Sequence, residues 1–182
     1  MLGSRHSRST EDFVMAYRAS TATVSPSTDV LVDALFPART SWLAAVLKIA
    51  VGVAFLALLA QVRIQIGPVP ITGQTLGVLL IGAGYGATLG LATVIAYLLA
   101  GGMGLAMFSG GAAGWAVLSG PTGGYLLAMP IAAALVGALA RRGWDRKPMT
   151  TAAAMALATT VIYLVGLAWL HRFAPDASTT LA

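Results

Sequence analysis

The chain is short of charge. Only 9% of its 182 residues are Asp, Glu, Lys or Arg, and none of these occurs between Ile64 and Ala140. Soluble domains carry roughly 25% charged residues because a water-facing surface needs them, so this segment cannot cover itself in water. Cysteine is absent altogether, which excludes disulfide frameworks, thiolate metal sites and cysteine nucleophiles. Histidine is confined to His6 and His171, and two distant imidazoles do not make a three-ligand metal site. The apolar runs hold no acid, so neither a carboxylate pair nor a Ser-His-Asp arrangement can be assembled there. The glycine strings lack the Lys-Ser/Thr of a phosphate-binding loop. No catalytic residue, metal ligand or cofactor is therefore expected, and the chain does not read as an enzyme. Self-powered ion-coupled transport needs ionisable groups at depth, for which Lys48 is the one candidate.

What is present in their place is apolar: 58% of the residues are hydrophobic and the mean hydropathy is +0.83. The fold class this implies is an all-α integral membrane protein, a compact bundle of about five transmembrane helices. The net charge of +5 does not point to nucleic acid, because the basic residues form no stripe with interleaved aromatics. They flank the apolar segments, as orientation signals do.

Three regions follow. Residues 1–40 read as a polar tail in which Arg5, Arg8, Arg18 and Arg39 are offset by Glu11, Asp12, Asp29 and Asp33. It lacks the apolar core of a secretory signal, and Thr28 to Phe36 has the pattern of an amphipathic turn or two at the membrane surface. Residues 41–172 form the transmembrane domain, and residues 173–182 a short polar stub.

Within the domain, Trp42 to Ala60 makes a first span, 19 residues long against the ~20 that a bilayer core requires. The QVRIQIGPVP stretch, Gln61 to Pro70, breaks it. Ile71 to Gly101 is too long for one ordinary span, and Gly82, Gly84 and Gly86 interrupt it. The pattern predicts two short helices, about 73–83 and 86–100, joined by a tight turn around Gly84-Tyr85-Gly86. Gly102 to Thr122 is glycine-rich yet apolar, which fits a lid or re-entrant segment better than a solvated loop. Gly123 to Ala140 and Met149 to Leu170 are the fourth and fifth spans.

Arg141, Arg142, Arg146 and Lys147 oppose only Asp145, so the loop between the last two spans is expected on the cytoplasmic side. Counting back puts segments 61–72 and 102–122 together on the outer face and the N-terminus inside. A binding site built by those two segments opens outward. Its candidate polar groups are Gln61, Gln65, Thr72, Gln74, Thr75, Ser109, Ser119, Thr122 and Tyr125, with Trp115 and Tyr125 as flat walls. The alternative for Ser, Thr and Gln in such helices is simply to bridge neighbouring helices.

Three strings carry a resemblance. Val69-Pro70-Ile71-Thr72-Gly73-Gln74-Thr75-Leu76, Gly110-Gly111-Ala112-Ala113-Gly114 and Gly120-Pro121-Thr122-Gly123-Gly124-Tyr125 resemble the BioY family in order and spacing. Gly143-Trp144-Asp145-Arg146 and Ile162-Tyr163-Leu164 with Gly166-Leu167 are similar to its later segments, and the likeness covers roughly residues 42–172. The resemblance implies the biotin-binding S component of an energy-coupling-factor (ECF) vitamin transporter in the cell membrane. Its implied partners are biotin, a coupling transmembrane subunit and two ATPase subunits. The substrate-binding residues it implies are Gln74, Gly110, Gly111, Trp115, Thr122, Gly123 and Tyr125. Ala50 and Ala54, one helical turn apart on the first span, are implied as the docking pair for the coupling subunit, since small side chains let helices approach closely.

The family pattern has six helices, with a Pro-Gly-Asp…Lys segment and a last helix whose polar residues help hold biotin; neither is found before Ala182. Biotin's carboxylate then needs another partner. Backbone N–H groups at Thr122-Gly123-Gly124 would serve, since helix N-termini favour anions. The preferred expectation is that the carboxylate tail points to water while the ring is buried. A non-binding accessory or truncated subunit, and an S component for another small vitamin, are the rival readings.

Overall fold

The computed structural model describes residues 42–64 and 69–173. The polar tail with its 28–36 segment, Gln65, and the stub beyond residue 173 lie outside the described residues. Helix α1 runs Trp42–Gln61, about 30 Å at 1.5 Å per residue. A two-residue ribbon follows, β1 (Arg63–Ile64) paired antiparallel with β2 (Ile71–Thr72), Arg63 opposite Thr72. Helix α2 spans Gln74–Gly102, α3 is the short Trp115–Ser119, α4 is Gly123–Ala140 and α5 is Pro148–Leu170. Four of these helices, α1, α2, α4 and α5, are long and apolar enough to cross a membrane.

The long α2 is a hairpin. Gly86 stands at φ 77°, ψ 175° inside it, a conformation open to glycine and costly for other residues. The two arms return side by side, because the Gln74 side chain meets the Tyr97 hydroxyl at 2.7 Å, whereas 23 residues of straight helix would separate them by about 34 Å. The two-helix reading of this stretch thus holds, with the bend at the last glycine of the expected turn.

Helix α4 is mostly buried, whereas α1 and α5 are mostly exposed. Its faces are made of small residues, so its neighbours pack onto backbone: Gly82 of α2 lies on the Ala133 carbonyl, and Gly137 lies on the backbone of Gly86 and Ala87. In lipid, where apolar burial gives helices little reason to associate, such close approach is the main source of packing energy. Helix α5 buries one stripe, Ala154, Ala158, Ile162 and Gly166, spaced by four as one helix face requires.

The bundle has two different ends. At one, the Tyr85 hydroxyl donates to the Lys48 carbonyl at 3.0 Å, and the Gly86 bend meets Gly137 near the basic loop 141–147. At the other, the Gly73 amide donates to the Val62 carbonyl at 2.9 Å, and Gln61 Nε2 donates to the Phe108 carbonyl at 3.3 Å. The ribbon and the 103–122 segment therefore share the end opposite the basic loop.

Candidate functional site

A cavity of about 370 Å³ opens at the ribbon end, within the ~300–1,000 Å³ range of small-molecule sites. Its wall holds polar groups, Arg63, Thr72, Gln74, Thr75, Ser109 and Thr122, together with apolar and aromatic ones, among them Phe108, Tyr125, Leu126, Met129, Ile162 and Tyr163. No acid or histidine is in this wall, and no group of three or more His, Cys, Asp or Glu converges anywhere among the described residues.

Thr72 and Gln74 are held by a directed chain of hydrogen bonds. Thr72 Oγ1 donates to Gln74 Oε1 at 3.0 Å, Gln74 Nε2 donates to the Tyr97 hydroxyl at 2.7 Å, and that hydroxyl donates to the Met107 carbonyl at 2.9 Å. Gln74 is buried and Tyr97 fully so. The chain ties the ribbon, both arms of α2 and the start of the glycine-rich segment into one rigid unit. Each link is worth about 1 kcal/mol when made, and more is lost when one buried partner is removed. Gln74 retains a second N–H. Helix bridging and cavity lining, alternatives in the sequence, coincide in this residue.

The aromatic side chains depend on glycines elsewhere. The Tyr125 ring lies on Gly166, where a Cβ would overlap it, and meets Tyr163 edge-on at 5.9 Å and 84°. Gly124 makes room for Trp169, whose Nε1 donates to the Gly120 carbonyl at 3.0 Å. The Gly-Pro-Thr-Gly-Gly-Tyr string is thus a packing device that aims Thr122 and Tyr125 at the cavity.

Of the residues singled out in the sequence, Gln74, Thr122 and Tyr125 stand in the cavity wall. Gly110, at φ +71°, lies directly under the Arg63 guanidinium and so backs the wall. Gly111 is exposed with open space around it. Trp115, 57% exposed, lies against Gly102, and Gly123 is packed on the Leu118 carbonyl. These three are outside the lining. Ala50 and Ala54 are exposed on the outer side of α1, while Gly52 turns inward to Tyr85 and Thr93.

The structure adds Arg63, Met129, Ile162 and Tyr163 to the wall. Arg63 carried a signal as the one cation of the outer loops. Tyr163 stood in the Ile162-Tyr163-Leu164 string of the resemblance but was not singled out as a site residue. A cation in the wall also offers a carboxylate a partner other than a helix N-terminus.

Fold and site together define a multi-pass membrane protein with a small-molecule cavity at one end. Residues 28–181 match the BioY family. The chain is 40% identical over 125 residues to the probable biotin transporter BioY of Pyrococcus horikoshii, covering 69% of this chain and 73% of that one. It is 35% identical over 126 residues to the biotin transporter BioY of Rhizobium etli, 65% and 67% of the two chains. Against biotin transporter BioY2 of Lactococcus lactis subsp. cremoris the identity is 44% over 88 residues, about half of each chain (48%). The crystal structure of the S-component for biotin from an ECF-type ABC transporter superposes with a TM-score of 0.67 at 29% identity, covering 74% of this chain and 76% of that one. The chain belongs to the BioY family.

Proposed function

We propose that the chain is the substrate-binding S component of an ECF-type transporter and captures biotin from the outer face of the cell membrane. The observation that carries this reading is the cavity itself, lined by one cation and several neutral polar groups together with aromatic and aliphatic side chains. Biotin is an amphiphile of matching kind: a neutral bicyclic ring with hydrogen-bonding edges, and a carboxylate on an apolar tail. Membership in the BioY family supports the same ligand. The binding subunit performs no chemistry on it; capture requires burial, hydrogen bonds and release.

The positive-inside rule supports a cytoplasmic basic loop 141–147; the cavity lies at the opposite end of the bundle and so opens outside, with the N-terminus read as cytoplasmic. The exposed face of α1, with Ala50 and Ala54 among Leu47, Val51 and Leu58, docks the coupling transmembrane subunit, and two ATPase subunits power the transport cycle. Gln74, Thr122 and Tyr125 contact biotin directly. Gly110, Gly111, Trp115 and Gly123 shape the covering segment around it.

The test is equilibrium binding of labelled biotin to the purified chain in detergent, with biotin, dethiobiotin and thiamine as competitors. Tight binding displaced by biotin and not by thiamine is the expected result. Displacement by thiamine, or no binding by folded protein, contradicts the reading.

A further inference from the structure

One polar atom of the cavity region has no partner. Ser109 borders the cavity, yet its Oγ is shielded from solvent and makes no hydrogen bond. A buried hydroxyl left in this state costs stability, and nearly every such group in a native protein is paired. Its neighbours prevent an easy local remedy. On one side Phe108 is anchored: 1% exposed, edge-on to Tyr97 at 5.6 Å and 85°, with its ring against Gly101 and its carbonyl held by Gln61. On the other side Gly110 takes φ +71° beneath the Arg63 guanidinium. The turn is closed by the Gly111 amide donating to the Phe108 carbonyl at 3.0 Å and the Phe108 amide donating to the Ala112 carbonyl at 3.0 Å. The backbone of Ser109 is thereby fixed, and rotation about χ1 is the freedom that remains.

We infer that Ser109 is a ligand-binding residue whose hydroxyl, without a partner among the protein's own groups, turns to donate a hydrogen bond to the carboxylate of the bound molecule in the corner it shares with Arg63. This inference rests on the biotin reading and refines it. The carboxylate goes to the polar corner and the ring to the wall of Tyr125, Met129 and Tyr163. A hydroxyl and a guanidinium are complementary to a carboxylate: both donate, and the second neutralises. The orphan hydroxyl stands where an acceptor arrives with the ligand.

The experiment measures binding of biotin and of its uncharged primary amide to the wild-type chain, S109A and S109C, with the unfolding midpoint of each ligand-free protein. A hydrogen bond to a charged group is worth roughly ten-fold or more in affinity, so S109A and S109C lose about that factor for biotin and much less for the amide. The ligand-free midpoints stay equal to wild type or rise, because no bond is lost. S109A binding biotin like a wild type that binds well overturns this inference alone. The same holds if both ligands lose equally, or if the ligand-free midpoint falls. A wild-type chain that binds no biotin overturns the functional reading and this inference together.

Discussion

Glycines do opposite work where helices meet and in the segment over the cavity. Along the helix faces, Gly82, Gly124, Gly137 and Gly166 are present because another residue's atoms occupy the place of their missing side chain. In the segment over the cavity, Gly104, Gly111 and Gly114 have positive φ and nothing within contact distance. The first set is close packing, which binds helices where lipid removes the hydrophobic drive. The second set is backbone freedom, which lets an apolar segment turn sharply over a cavity. The helix seams use glycine for close approach, and the covering segment uses it for sharp turns.

Substitutions at these positions separate the two roles. The largest effect is expected for Gly137→Leu, whose side chain meets the backbone of Gly86 and Ala87 and has no flexible neighbour to displace. A loss of roughly 3 kcal/mol or more should appear as collapse of the monodisperse peak and of the thermal transition in detergent. Gly166→Val pushes on the Tyr125 ring instead. It should cost about 2 kcal/mol and weaken biotin binding as well, since Tyr125 is wall and packing partner together. Tyr97→Phe keeps the ring contact with Phe108 but leaves Gln74 Nε2 and the Met107 carbonyl without their shared hydroxyl. About 1–2 kcal/mol should be lost, read as a lower unfolding midpoint. Gly111→Ala meets only the backbone penalty of a left-handed conformation, about 1 kcal/mol, and should leave folding almost untouched. If Gly111→Ala proves as damaging as Gly137→Leu, the division between helix seam and covering segment is wrong.

The same division explains what the sequence could convey. The bend in α2 was legible because the 31 residues from Ile71 to Gly101 are too many for one ordinary span and Gly82, Gly84 and Gly86 interrupt their middle; the observed break falls at Gly86. The pairing of segments 61–72 and 102–122 at one end followed from counting helices back from a basic loop. Gln74, Thr122 and Tyr125 reached the cavity wall as polar groups beside helix starts. Gly123 stands between Thr122 and Tyr125 and Trp115 directly follows the Gly110–Gly114 string, yet one packs on the Leu118 carbonyl and the other on Gly102. Composition cannot distinguish a glycine that faces a ligand from one that faces a helix. Tyr163 and Arg63 enter the wall through contacts with Tyr125 and Gly110, which exist only after α5 and the ribbon have packed. The idle hydroxyl of Ser109 is likewise a property of the folded cavity and has no trace in the string Phe-Ser-Gly-Gly.

If the cavity between the ribbon, the glycine segment and helices α4 and α5 is the biotin site, filling it abolishes binding. Met129 is buried, lines that cavity and sits on the rigid α4, so Met129→Trp places an indole inside it without touching the cover. The measurement is a biotin binding isotherm of Met129→Trp beside the wild type, taken on protein shown to be folded by its thermal transition. Loss of binding with a retained transition is the expected result. Binding of biotin at wild-type strength by the filled protein would place the site elsewhere and contradict the account.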